Sequence, residues 1–132
     1  MKKDIEIPIA ENIQIIATKE WDKDFLVQTW NVYLINNRED LIETVLVMSR
    51  GHKEGKKTTT LRHGLGDLPP HTAAKIEFIP EDVFGFTNEY LVTFFAEGKL
   101  FDRNFIFVPG SISEGNARFI DLMGQDCVVA NY

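Results

Sequence analysis

Three histidines (His52, His63 and His71), one cysteine (Cys127) and one dense run of positive charge are the residues whose types could do chemistry in this chain. Histidine metal ligands on a strand stand at i, i+2, and on a helix at about i, i+4. The three histidines meet neither spacing, so a metal site would need Asp67 or Glu77 brought in by the fold. A single cysteine excludes an intrachain disulfide and a thiolate cluster of its own. Cys127 stands beside Asp126, whose charge disfavours a thiolate, and reads as a small packing residue. Ser49, Ser111 and Ser113 lack the G-x-S-x-G setting of a nucleophile. Gly64-Leu65-Gly66-Asp67 could suggest a phosphate cradle, but Pro69-Pro70 denies the helix that must open after one. The carboxylate pairs Glu39-Asp40 and Glu81-Asp82 read as solvated turns. The expectation is therefore no catalytic residue, no metal and no cofactor.

The charge is unevenly spread. The chain holds 14 basic and 20 acidic residues, a net −6. Residues 50–63 contain Arg50, Lys53, Lys56, Lys57 and Arg62 against Glu54 alone, so this segment is +4 and the rest of the chain −10. His52 and His63 add positive charge at mildly acidic pH. Lys53-Glu54-Gly55-Lys56 reads as the turn of a hairpin, with His52 opposite Lys57. A basic finger of this kind suits an acidic protein or a phosphate. The plainer reading is a solvated hairpin whose lysines protect a sheet edge from aggregation. No aromatic lies within 50–63 to stack on bases, which counts against single-stranded nucleic acid.

The elements that would position these groups have period two. At 132 residues the chain is one domain, read as a core over 12–108 with an extension over 109–132. Segments 25–36, 41–50, 73–79, 90–96 and 100–108 read as strands, rich in β-branched and aromatic residues and bounded by turn residues. Ile5, Ile7 and Ile9 alternate, and Ile13 and Ile15 continue weakly. Trp30, Val32 and Leu34 share one face of their strand, with Asn31, Tyr33 and Ile35 on the other. Glu97-Gly98 turns the clearest hairpin. Gly64 to Pro70 interrupts regular structure. A helix over 115–123 is suggested by Phe119, Leu122 and Met123, and 127–130 reads as a last short strand. Eight or so strands imply a mostly β sandwich or barrel. Phe94 and Phe95 must face opposite sides of one strand, as must Phe105 and Ile106, so an outer cover is expected from the tail or a second subunit. Trp30 reads as core. Trp21 lies among charges and is either a lid on the sandwich or an exposed contact.

Three stretches carry a resemblance. They are Val32-Tyr33-Leu34-Ile35-Asn36-Asn37 followed by Ile42-Glu43-Thr44-Val45, Leu68-Pro69-Pro70-His71-Thr72-Ala73-Ala74-Lys75-Ile76, and Tyr90-Leu91-Val92-Thr93-Phe94. Over roughly 25–108 the chain resembles an immunoglobulin-like or fibronectin-type-III-like sandwich, which implies seven to nine antiparallel strands with at most one short C-terminal helix. Such domains often have Gly where His71 stands. Over much of 25–112, including Leu61-Arg62-His63-Gly64-Leu65-Gly66-Asp67-Leu68-Pro69-Pro70, the chain is also similar to short bacterial proteins labelled phenylalanyl-tRNA synthetase α subunit. A synthetase catalytic domain holds ATP with arginine-bearing motifs. Arg62 and Arg118 stand in none, so the label implies no more than an accessory of translation.

These readings converge on a non-enzymatic cytoplasmic interaction or assembly module. Two lysines open the chain, but Asp4, Glu6 and Glu11 interrupt the apolar core a signal peptide needs. No stretch approaches the roughly 18 apolar residues of a membrane helix, and no membrane partner is expected. Arg50, His52, Lys53, Lys56, Lys57, Arg62 and His63 are the candidate contact residues. Segment 109–132 carries Ile112, Phe119, Ile120, Leu122, Met123, Val128 and Val129, which suggests burial in a homo-oligomer. The alternative is a ligand-binding β-barrel whose mouth is lined by Phe84, Phe86 and Tyr90, with Trp21 as a further exposed aromatic.

Overall fold

The computed structural model of the protein describes residues 6–132. Ile5, the first of the alternating isoleucines, lies outside them. Among the described residues ten strands form two sheets: β1 (Ile13–Trp21), β2 (Gln28–Asn36), β3 (Ile42–Lys53), β4 (Lys56–Lys57), β5 (Leu61–Leu68), β6 (Thr72–Ile79), β7 (Thr87–Ala96), β8 (Lys99–Phe107), β9 (Arg118–Ile120) and β10 (Gln125–Val129). One sheet has the order β6-β2-β1-β10-β9, and the other runs β4-β3-β7-β8 with β5 also paired to β3. Every strand pairing is antiparallel. The molecule is a β-sandwich of two separate sheets, not a closed barrel.

The main core is the alternate set of inward residues from both sheets. Ile13, Ile15, Ala17, Trp30, Val32 and Leu34 meet Val45, Val47, Tyr90, Val92, Phe94, Phe105 and Phe107. The two-faced reading of β2 holds, since Ile35 and Tyr33 join a second cluster with Ile16 and Cys127 on the outer face of the first sheet. That cluster is covered by Ile120, Leu122 and Met123. Among the described residues the second sheet has no equal cover at Phe95, which is exposed although Phe94 beside it is fully buried.

The C-terminal segment corrects two expectations. No helix forms over 115–123. A 3-10 turn at Glu114–Asn116 leads into β9, and Ile120 to Gly124 closes a turn into β10. Nor is 109–132 an appendage. β10 pairs with β1 through Ile16–Val129 and Ala17–Val128, and Ile112, Cys127, Val128 and Ala130 are buried within the chain. Burial of these residues therefore needs no second subunit. Of the segment's large apolar residues, Phe119 and Tyr132 stay exposed.

Turn chemistry sets the register. The hairpins β3–β4 and β7–β8 both have two-residue loops, Glu54-Gly55 and Glu97-Gly98, with positive φ at both positions. That is the mirror-image turn whose twist matches paired strands, and it favours glycine second. The interruption expected over Gly64 to Pro70 falls at Pro69-Pro70 and not at the glycines. β5 runs through Gly64, Leu65 and Gly66, with register shifts against β3 that absorb the glycines. His71, where the resembling domains often have Gly, sits at φ +55° and is held by Glu39 at 2.7 Å.

The two long seams of the sandwich are closed differently. Along β8, backbone does it. The Asp102 N–H donates to the Pro8 carbonyl and the Ala10 N–H to the Asp102 carbonyl, while Ile106 and Asn131 exchange both their backbone bonds at 2.7 and 2.8 Å. Along β5 and β6 no strand among the described residues bridges the sheets. One end of the sandwich is plugged by Arg38, whose guanidinium grips Asp40 at 2.7 and 3.0 Å and lies 5.6 and 5.3 Å from the ring centres of Phe94 and Phe101. Arg38→Ala should cost about 2 kcal/mol in urea unfolding, and Arg38→Lys should recover little, because an ammonium cannot make the paired bonds.

Candidate functional site

The opposite end carries the conspicuous surface. β1 ends there at Trp21, β2 begins at Gln28, β6 ends at Ile79, β7 begins at Thr87 and β3 runs out to Lys53. Two hairpin tips therefore project from one end, where a 3-10 turn at Glu81–Val83 also links β6 to β7.

The first tip is apolar. Trp21, Phe25, Leu26 and Val27 are 54%, 74%, 76% and 53% exposed. Asp22 builds this loop. Its N–H donates to the Val27 carbonyl at 2.9 Å, its carbonyl accepts the Phe25 N–H at 3.1 Å, and its carboxylate accepts the Leu26 N–H at 2.8 Å. Phe25 is thereby held at φ +56°, a strained conformation for a residue with a Cβ. The sequence reading missed this site because it ran the strand from Phe25, whereas β2 starts at Gln28. The available signal was Asp22-Lys23-Asp24 followed by three consecutive large apolar residues, a turn that fails to become polar. Trp21 is exposed and is no lid on the sandwich.

The second tip is the basic finger, and its predicted contact residues divide. Lys53, Lys56 and Lys57 are exposed at the turn, with His52 opposite Lys57 as expected. Arg50 and His52 lie together on the outer face of the sheet, 3.4 and 3.0 Å from the Glu89 carboxylate. Burial pushes the Glu89 carboxyl upward, but bonds from Asn104, Arg50 and His52 outweigh it and hold the group below its ordinary value. Arg62 is exposed on β5, opposite Met48. His63 turns inward, opposite the buried Val47, and leaves the finger.

Between the sheets His63 meets Glu77. A bulge places one extra residue, Ile76, between the Val32–Glu77 and Tyr33–Lys75 pairs. Ile76 and Glu77 thus both face inward, and a carboxylate is aimed into the seam. There Glu77 Oε1 accepts from Ser49 Oγ and His63 Nε2, and Oε2 accepts from Tyr90 Oη, each at 2.8 Å. The four residues come from β6, β3, β5 and β7. Serine, histidine and glutamate meet here without a relay. Ser49 donates to the carboxylate and not to His63, so the serine–histidine bond of a catalytic triad is not made. The other histidines pair elsewhere, His52 with Glu89 and His71 with Glu39. Among the described residues no group of three metal-ligating side chains gathers.

A surface cleft of about 260 Å³ opens over this seam, lined by Leu61, Phe78, Ile79, Pro80, Val83 and Arg50 among others. The Thr58-Thr59-Thr60 break between β4 and β5 opens it. There the Thr58 N–H and the Gly51 carbonyl bond at 2.9 Å, and the approach is so close that a Cβ on Gly51 would lie 2.9 Å from Asn88 Oδ1.

The expected aromatic mouth does not form. Tyr90 is core, edge-on to Phe107 with ring centres 5.9 Å apart. Phe84 packs edge-on against Trp30 at 6.2 Å, and Phe86 lies beside Gly51. Cys127 is buried as a packing residue, and burial pushes its thiol pKa up.

The fold and its surface define a two-sheet β-sandwich with a polar clasp in one seam and two projecting hairpins at one end. Among the described residues no helix is long and apolar enough to cross a membrane. Comparisons with known protein families, with curated proteins and with solved structures find no match for this chain.

Proposed function

We propose that the protein is a non-enzymatic cytoplasmic interaction module that docks a protein partner with the two-hairpin end of its sandwich. The observation that carries this reading is the apolar tip. Four large apolar side chains stand in solvent on a loop fixed by three hydrogen bonds to Asp22. Exposed apolar clusters of this kind mark contact sites, and a preformed loop with aromatic anchors loses little entropy on binding. Lys53, Lys56 and Lys57 at the same end of the sandwich favour a partner with an acidic rim. The immunoglobulin-like reading of the sandwich accords with this use, since such domains bind through loops at one end.

The immobilised full chain should capture a set of proteins from cell extract that a tip variant, Phe25→Asp with Leu26→Asp, loses. A finger variant, Lys53→Glu with Lys56→Glu and Lys57→Glu, should capture the same set at least tenfold less well and with less sensitivity to salt. Neither set of changes touches the core, so thermal unfolding should shift by only a few degrees. Identical capture by wild type and tip variant would falsify the reading.

A further inference from the structure

The apolar tip has a complementary surface on the same molecule. The cleft over the seam has apolar walls in Leu61, Phe78, Ile79, Pro80 and Val83, and it is edged by Arg50. Leu61 and Phe78 are themselves 48% and 52% exposed. Lys57 lies on an adjoining hollow shared with Arg50 and Thr58. The tip offers the opposite charge, since Asp22 and Asp24 flank Lys23 just before Phe25 and Leu26. An apolar projection carrying Asp22 and Asp24 thus faces, in another copy, an apolar hollow with Lys57 beside it; Arg50 and Glu77, the charged residues of the hollow's own lining, are taken up by Glu89 and by the seam.

The placement of the two surfaces decides what assembly they allow. Within one copy they are close neighbours but cannot meet. Trp30 of β2 is opposite Ile79 of β6 at the cleft, and Val27 lies three residues beyond Trp30, about 10 Å further along the strand direction. The tip projects outward from the end, while the cleft opens sideways at the seam. A second copy related by a twofold axis can seat its tip in the first copy's cleft and receive the first copy's tip in its own. Such an exchange is closed and self-complementary, with the same two patches used twice.

We propose that the partner of the apolar tip is a second copy of this chain, the Phe25-Leu26 tip of each copy occupying the Leu61–Phe78 cleft of the other. This rests on the tip being a contact site, and it places the interface away from segment 109–132.

The test uses three full-length proteins in sedimentation equilibrium from about 5 to 500 µM: wild type, the tip variant Phe25→Asp with Leu26→Asp, and a cleft variant, Leu61→Asp with Phe78→Asp. All four substituted residues are exposed, so circular dichroism and thermal unfolding should show each variant folded. The wild type should be a dimer that weakens as salt is raised. Each variant alone should be monomeric over the whole range. An equal mixture of the two variants should regain a heterodimer at least tenfold weaker than the wild type, because one intact tip then meets one intact cleft. A variant that remains dimeric, or a mixture that stays monomeric, overturns the exchange. A monomeric wild type also overturns it, yet leaves the broader reading standing, which falls only if the tip variant captures the same proteins as wild type.

Discussion

Glu77→Ala should be the most damaging single change outside the apolar core, lowering the unfolding free energy by about 3 kcal/mol in urea titration. The carboxylate accepts three bonds of 2.8 Å from groups on three strands of the opposite sheet. Two of the donors, Ser49 and Tyr90, are almost wholly buried. Removing Glu77 leaves both hydroxyls without an acceptor where water reaches poorly, and an orphaned buried polar group loses its full hydration. Glu77→Gln keeps an acceptor oxygen and should cost less. Replacing Glu77, Ser49, His63 and Tyr90 together by Leu, Ala, Leu and Phe should recover most of the loss. A double-mutant cycle between Glu77→Ala and Tyr90→Phe should give a coupling of about 1–2 kcal/mol. Additive losses would show that the seam is held by packing alone.

The same residue shows how far the sequence could be read. Alternation and turn residues announced strands over 25–36, 41–50, 73–79, 90–96 and 100–108, within a few residues of β2, β3, β6, β7 and β8, and the turns of both hairpins, because those signals are local. β1 was barely visible. Ile13, Ile15, Ile16, Ala17 and Thr18 are all buried, and a strand covered on both faces shows no polar alternation. The false helix over 115–123 arose because Phe119, Leu122 and Met123 satisfy helical spacing, yet Leu122 and Met123 are used to cover the outer cluster from a turn. Glu77 had no local mark at all. Its inward aim depends on the bulge at Ile76, and a bulge is written in the pairing of two strands more than 40 residues apart. The basic run was legible as charge, but its division among the finger, Glu89 and the seam depended on the pairing of β3 with β5 and β7.

The two-sheet arrangement also fixes how the protein should fail at high pH. Burial above all, and then the charge and hydrogen bond of Glu77, push the Tyr90 phenol far above its ordinary value. Burial and the Glu20 carboxylate raise Tyr33 to about 12. An unfolded tyrosine titrates near 10. Below pH 10 both states hold the proton and the stabilising difference is fully present. Above it the unfolded chain releases protons that the folded chain keeps, so the unfolded state gains and stability falls as pH rises. For Tyr33 the loss is spread between pH 10 and 12. For Tyr90 it continues beyond, at roughly 1–2 kcal/mol per pH unit for one proton. Urea midpoints measured from pH 8 to 12 should therefore be flat to about pH 10 and then drop steeply. Tyr90→Phe should lower the plateau, since Glu77 loses a donor, but should flatten the alkaline limb, so the two curves converge or cross. Tyr33→Phe should remove a smaller part of the slope, because its ring is only half-buried. A limb unchanged in both variants would place the alkaline failure in the lysines and not in the seam.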